Sequence, residues 1–191
     1  MNEKFQNKYR IPSARAQWWN YGDNAAYFVT ICTAKRKCLF GKVADGKMQL
    51  SEIGQIANDC WMEIPKHFPF VVLGEFVVMP NHVHGIIIID KPATVPVETQ
   101  NFASLPSPPS SPSPPSSPPS NKFGPQSQNL ASIIRGFKIG VTKNAHLIHS
   151  DFAWQPRFHD HIIRNDDEYN RIENYIINNP AKWQNDTFYK K

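Results

Sequence analysis

Between residues 71 and 90 the chain reads VVLGEFVVMPNHVHGIIIID, two apolar segments separated by Pro80-Asn81 alone. So short a connection joins antiparallel neighbours, and it predicts a β-hairpin with strands over 71–80 and 82–90. The run Ile86-Ile87-Ile88-Ile89 has no polar alternation with which to face water, so its strand is central in a sheet. His82 and His84 open that strand. Residues two apart in a strand leave by the same face, which sets the two imidazoles side by side.

The rest of the chain supplies partners for the hairpin. AYFVTICT (26–33) is β-branched and aromatic and reads as a strand. Ser51 opens a helix with Ile53, Ile56, Ala57, Cys60 and Trp61 at helical spacing. LASIIRGFKIGVTKNA (130–145) carries Leu130, Ile133, Ile134, Phe137 and Val141 on one helical stripe, and FHDHIIRN (158–165) reads as a short strand. Asn165 caps a last helix, with Glu168 three residues on, and Pro180 ends it. The order β-α-β-β-α-β-α predicts an α+β protein: a ferredoxin-like (RRM-like) four-stranded antiparallel sheet with helices on one face. A single domain over residues 1–191 is expected, interrupted at about 91–122 by a Pro/Ser-rich insert. Its centre, residues 106–120, contains only proline and serine, and cannot bury apolar surface. It reads as an extended spacer in preference to a ligand for an SH3-type domain.

Charge and cysteines narrow the setting. A net charge of +5 favours a polyanionic partner. Three cysteines form no CxxC pair, and their odd number argues against a disulfide framework. No apolar run approaches the length of a membrane span, and MNEKFQNKYR lacks the apolar core of a signal peptide. The expectation is a reduced, intracellular, soluble protein.

His-x-His by itself fits either a metal clamp or two polar residues at a strand start. Two imidazoles bind a divalent ion without completing its shell. The last helix, DDEYNRIENYIINNP, offers the remainder: Tyr169, Ile172 and Ile176 form its packed stripe, while Tyr175 and Asn179, four apart, share one flank. A phenol beside a metal can attack a phosphodiester that the ion polarises, and an Asn amide oxygen can serve as third ligand. FHDH leaves an alternative open, with His159 and His161 joining the first pair in a four-histidine centre. In the plainer reading His161 orients a ligand from outside the coordination shell, and Asp160 bonds a backbone group. His67, His146 and His149 have no partners by spacing and are expected at the surface. Lys35, Arg36 and Lys37, then Arg135, Lys138 and Lys143, and finally Arg157 and Arg164, are candidate phosphate contacts. Trp154 is a candidate stacking platform for unpaired bases, and Trp18-Trp19 either another or a hydrophobic plug.

MPNHVHGIIII resembles the His-hydrophobic-His signature of the HUH endonucleases. The chain as a whole is similar to REP-associated tyrosine transposases, through YFVTICT with the later LFGKV, EFVVMPNHVHG, SIIRGFKIGVTK, WQPRFHDHIIRN and YIINNPAKW. These segments span nearly everything outside the Pro/Ser tract, which is the one departure. The resemblance implies His82 and His84 as metal ligands, Asn179 as the helix-borne third ligand, and Tyr175 as nucleophile. It implies Mg²⁺ or Mn²⁺ as the ion and single-stranded or hairpin-bearing DNA as the substrate, cut to a 5′-phosphotyrosine and a free 3′-OH. It further implies a bacterial cytoplasmic protein, on the nucleoid when bound to DNA. Related transposases form homodimers with shared sites, whereas REP-associated members can act as monomers, so both states stay open. Two imidazoles suit Mn²⁺ at least as well as Mg²⁺. Rejoining from a phosphotyrosine needs no nucleotide, in keeping with the lack of a GxxxxGK[ST] loop. The alternatives are a non-catalytic RRM-like nucleic-acid-binding module and a small metalloenzyme of unrelated chemistry.

Overall fold

The computed structural model describes residues 19–92 and 128–189. In chain order the elements are β1 (Ala25–Cys32), β2 (Gly41–Ala44), β3 (Lys47–Leu50), α1 (Glu52–Met62), α2 (Ile64–His67), β4 (Val71–Met79), β5 (His82–Ile89), α3 (Leu130–Ala145), β6 (His159–Ile163) and α4 (Asp166–Asn178). Short 3-10 turns cover Ala34–Arg36 and Pro180–Asn185. Four strands form one sheet in the order β4-β5-β1-β6, with every pair antiparallel. This is the ferredoxin-like order, and β5 occupies the inner position that its isoleucines demand. Pro80-Asn81 is the whole connection of the β4–β5 hairpin, with Met79 paired to His82.

The face built by Tyr27, Val29 and Ile31 of β1 and Val83, Ile87 and Ile89 of β5 is covered by α1 and α3 in one hydrophobic cluster. Trp61 of α1 lies so close to β5 that a Cβ on Gly85 would overlap its ring, which explains the glycine directly after His84. The opposite face of β5 carries Ile86 and Ile88, equally in need of cover. There α4 packs Ile172 and Ile176 against Ile86 and Ile163 in a second cluster. The two crossover helices therefore share one face, as expected, and α4 adds a third layer on the other.

Helix starts follow the caps read from sequence. Ser51 Oγ accepts from the Gly54 N–H at 3.1 Å, and Asn165 Oδ1 from the Glu168 N–H at 2.8 Å. The β2–β3 hairpin is an addition to the expected elements. Its turn residues Asp45 and Gly46 have φ of 50° and 69°, the paired positive values of a two-residue type I′ turn. The Pro/Ser tract and Trp18 lie outside the described residues.

Candidate metal and nucleophile site

The register of β5 carries both imidazoles to the α4 side of the sheet, where their ring centroids stand 4.3 Å apart. His82 is fully buried and His84 nearly so. The hairpin residue Asn81 donates from its amide nitrogen to the carbonyls of Phe188 (2.9 Å) and Arg36 (3.4 Å). Its Oδ1 is therefore the atom facing His82 Nδ1 at 2.8 Å, and it can only accept. The proton of His82 accordingly sits on Nδ1, and Nε2 presents a lone pair. That Nε2 is buried with no hydrogen-bond partner. On the neighbouring strand Thr30 Oγ1 lies 2.8 Å from His84 Nδ1 and orients the second ring, whose Nε2 faces Tyr175. Burial pushes both imidazoles down to a pKa of about 3, so both are neutral at ordinary pH, as metal ligands must be.

The start of α4 is tied to β6 by Glu168, which bonds His161 Nε2 (2.8 Å) and the Arg164 N–H (3.0 Å). From that anchor the helix brings Tyr175 over β1 and β5. The Tyr175 hydroxyl lies 3.3 Å from His84 Nε2, and the ring meets Phe28 edge-on at 6.1 Å. The residue is still 44% exposed, so the phenol is reachable from solvent while its oxygen touches the imidazole. Partial burial, then the charge of Asp186, raise its pKa, while a hydrogen bond from the Asn179 side chain works the other way. Asn179, at the end of α4, is buried, and its Oδ1 has no partner. Among the described residues three buried side-chain atoms lack partners, and two of them, His82 Nε2 and Asn179 Oδ1, belong to this cluster. Each such atom costs about 1–3 kcal/mol while unpaired.

Asp186 completes the cluster and was not foreseen. The ligand atoms of His82, His84 and Asp186 lie within 4.8 Å of one another. The segment after α4 brings the carboxylate there by burying Trp183 and by setting the Phe188 ring 4.5 Å from that of His82. Arg36 closes over the other side, its guanidinium 4.6 Å from the Phe188 ring and its Nη1 donating to the Thr187 carbonyl at 3.2 Å. Two imidazole nitrogens and a carboxylate form a mixed donor set that could hold a first-row divalent ion. A carboxylate seven residues beyond Asn179 follows no helical or strand period, so no spacing in the sequence could point to it.

The other anticipated residues divide by environment. Trp154 packs among Phe40, Phe137 and Phe152, with its Nε1 donating to the Lys138 carbonyl. Lys138 gives its ammonium to the carbonyls of Gln155 and Arg157. Both side chains hold the 154–157 segment on α3. Trp19 is half-buried and donates to the Tyr27 hydroxyl. Arg36 ties down the C-terminal segment, and His161 serves the β6–α4 junction. Lys35, Arg135, Lys143, Arg157 and Arg164 are exposed, and Arg135 and Lys143 line an open groove along α3 with Ile139 and Phe158. His159 is exposed at the start of β6.

A four-stranded sheet with paired imidazoles on an inner strand and a tyrosine helix across them defines a transposase-like fold. The structure of the REP-associated tyrosine transposase bound to a REP hairpin superposes with a TM-score of 0.55, over 90% of this chain and 74% of that one, at 20% identity. No protein-family model matches the chain. An uncharacterized protein of Haemophilus influenzae is 38% identical over 178 residues, 93% of this chain and 92% of its own length. The chain belongs to one family with that protein, and its fold is that of the REP-associated tyrosine transposase. No helix among the described residues is long and apolar enough to cross a membrane.

Proposed function

We propose that the protein is a metal-dependent single-strand DNA endonuclease and strand transferase, a transposase that works through a covalent 5′-phosphotyrosine on hairpin-bearing DNA. The observation that carries this reading is the hydroxyl of Tyr175, on a half-exposed residue yet 3.3 Å from His84 Nε2, beside ligand atoms of His82, His84 and Asp186 that lie within 4.8 Å of one another. His82, His84, Asp186 and Asn179 would hold Mn²⁺ or Mg²⁺. The ion would supply charge neutralisation at the phosphate and favour the phenolate.

The chain's own residues do the rest. Asn81 and Thr30 hold the rings so that both Nε2 atoms face the reacting centre. Phe28 and His84 flank the Tyr175 ring and fix its approach. The phenol oxygen attacks phosphorus and gives up its proton, the P–O3′ bond breaks, and the released 3′ oxygen takes a proton. A second 3′-OH then displaces the tyrosine, restoring the phenol and one phosphodiester. The number of such bonds is conserved, so no nucleotide is consumed. The solved relative was captured on a REP hairpin, which supports a structured single strand as the substrate. Such an enzyme acts on chromosomal DNA, in the cytoplasm of a bacterium.

The test is incubation with Mn²⁺ and a labelled, randomised pool of hairpin-bearing single-stranded oligonucleotides. The expected product is a protein–DNA adduct stable in SDS and missing in Tyr175→Phe. Retarded DNA with no adduct would instead mark a binding module.

A further inference from the structure

FHDH carries a second histidine pair, His159 and His161, on β6. His161 joins Glu168, but the His159 side chain makes no hydrogen bond or ion pair among the described residues, and it is exposed. Register shows where it stands. Thr30 pairs with His84 on one side and with His159 on the other. Directly opposed residues of antiparallel strands point to the same face, so His84, Thr30 and His159 form one row across the sheet, on the Tyr175 side. Neighbouring strands are about 4.8 Å apart, which puts the His159 backbone about 10 Å from that of His84.

Tyr175 stands over this same face, edge-on to Phe28 of β1. Over the row of imidazoles α4 lies on β4 and β5, burying Ile176 against Ile86, and the Asp186–Phe188 segment closes the His82 end. On the half of the face formed by β1 and the edge strand β6, α4 reaches His161 and Ile163, while Phe28 is half-buried and His159 is exposed among the described residues. Among the described residues, that half offers an exit for a DNA strand whose phosphate meets the Tyr175 hydroxyl. Its next phosphate then passes the exposed His159 ring, and exposed Arg157 stands two residues before it.

We infer that His159 is a DNA-binding residue that hydrogen-bonds a phosphate neighbouring the scissile one, and so sets which bond lies under Tyr175. The inference rests on the transposase reading above and extends it to a residue outside the metal cluster. Its worth is that of one hydrogen bond to a charged group on an exposed ring, between about threefold and tenfold in substrate affinity.

The experiment uses the best-cleaved member of the randomised hairpin pool, with Mn²⁺, under single-turnover conditions. His159→Ala and His159→Gln are compared with the unaltered protein, on that oligonucleotide and on versions bearing one neutral methylphosphonate at each successive position. Expected are a threefold to tenfold higher half-saturating DNA concentration for His159→Ala, and a rate at saturation within about twofold. Mn²⁺ affinity should be unchanged. One methylphosphonate, next to the cleaved bond, should weaken the unaltered protein and leave His159→Ala unaffected. An unchanged half-saturation point, or losses that multiply at every position, would overturn the assignment. If the unaltered protein forms no adduct with any member of the pool, the transposase reading falls first and this inference with it.

Discussion

Two neutral imidazoles set edge to face in a protein interior have a cost at low pH. Free in an unfolded chain they titrate near 6.5, whereas folded His82 and His84 are held down to about 3. Between those values the unfolded chain binds more protons than the folded one, so stability rises with pH across the window. The contribution is complete above about pH 6.5 and is lost as pH falls toward 3. Each ring adds a slope of at most about 1.4 kcal/mol per pH unit. Denaturant titrations of metal-free protein between pH 5 and 6.5, where ordinary carboxylates remain ionised, should show this slope. A flat profile there would contradict the burial of both rings. The same cluster should respond to metal. Mn²⁺ at a hundredfold excess over its Kd should stabilise the fold by about 2.7 kcal/mol, read as a rise in Tm. His82→Ala should abolish that rise, and Asp186→Asn should reduce it. An unchanged response in His82→Ala would remove the imidazole from the site. Tyr175→Phe deletes one hydroxyl from a half-exposed ring, so its Tm should stay within a few degrees of the parent's while the DNA adduct disappears.

At the level of elements, the site depends on how closely β5 approaches α1. Trp61 occupies the space that a side chain at 85 would need. Gly85→Ala must move either the ring or the strand that holds His84, at a cost of about 1–3 kcal/mol in a chemical unfolding experiment. It should weaken the Mn²⁺ response as well, and full retention of both would show the contact to be looser than described. Most elements were legible because their signals are local. Ser51 and Asn165 announce caps, the isoleucine run announces an inner strand, and the i, i+4 spacing of Tyr175 and Asn179 places both on the flank where they are found. The layer on which α4 lies was less legible. Ile86 and Ile88 require cover on the second face, but a sequence does not say which element supplies it. Asp186 could not be read at all, since its position depends on Trp183 and Phe188 finding their places in three dimensions. Trp154 and Lys138, read from sequence as DNA contacts, also fix the 154–157 segment to α3 through their hydrogen bonds, which no spacing announces.

In the whole molecule the two described stretches build one sheet, since β6 pairs with β1. The flanks of the intervening segment are anchored on a single turn. Lys91 bonds Asn24 and Gly22, and the Leu130 N–H donates to the Tyr21 carbonyl. Closing a chain between neighbouring anchor points depends only weakly on length. Removal of residues 106–120 should therefore leave Tm and the Mn²⁺ response unaltered, measured side by side with the full chain. A large loss of either would assign the proline–serine tract a role in folding. The central claim, that imidazoles from β5 and a phenol from α4 act around one divalent ion, is tested most directly by locating the DNA on the protein. Mass spectrometry of the trypsin-digested adduct should find the nucleotide on the peptide IENYIINNPAK, residues 172–182, at Tyr175, and only when Mn²⁺ or Mg²⁺ is present. A nucleotide on any other residue, or an adduct of equal yield in a chelator, would contradict the account.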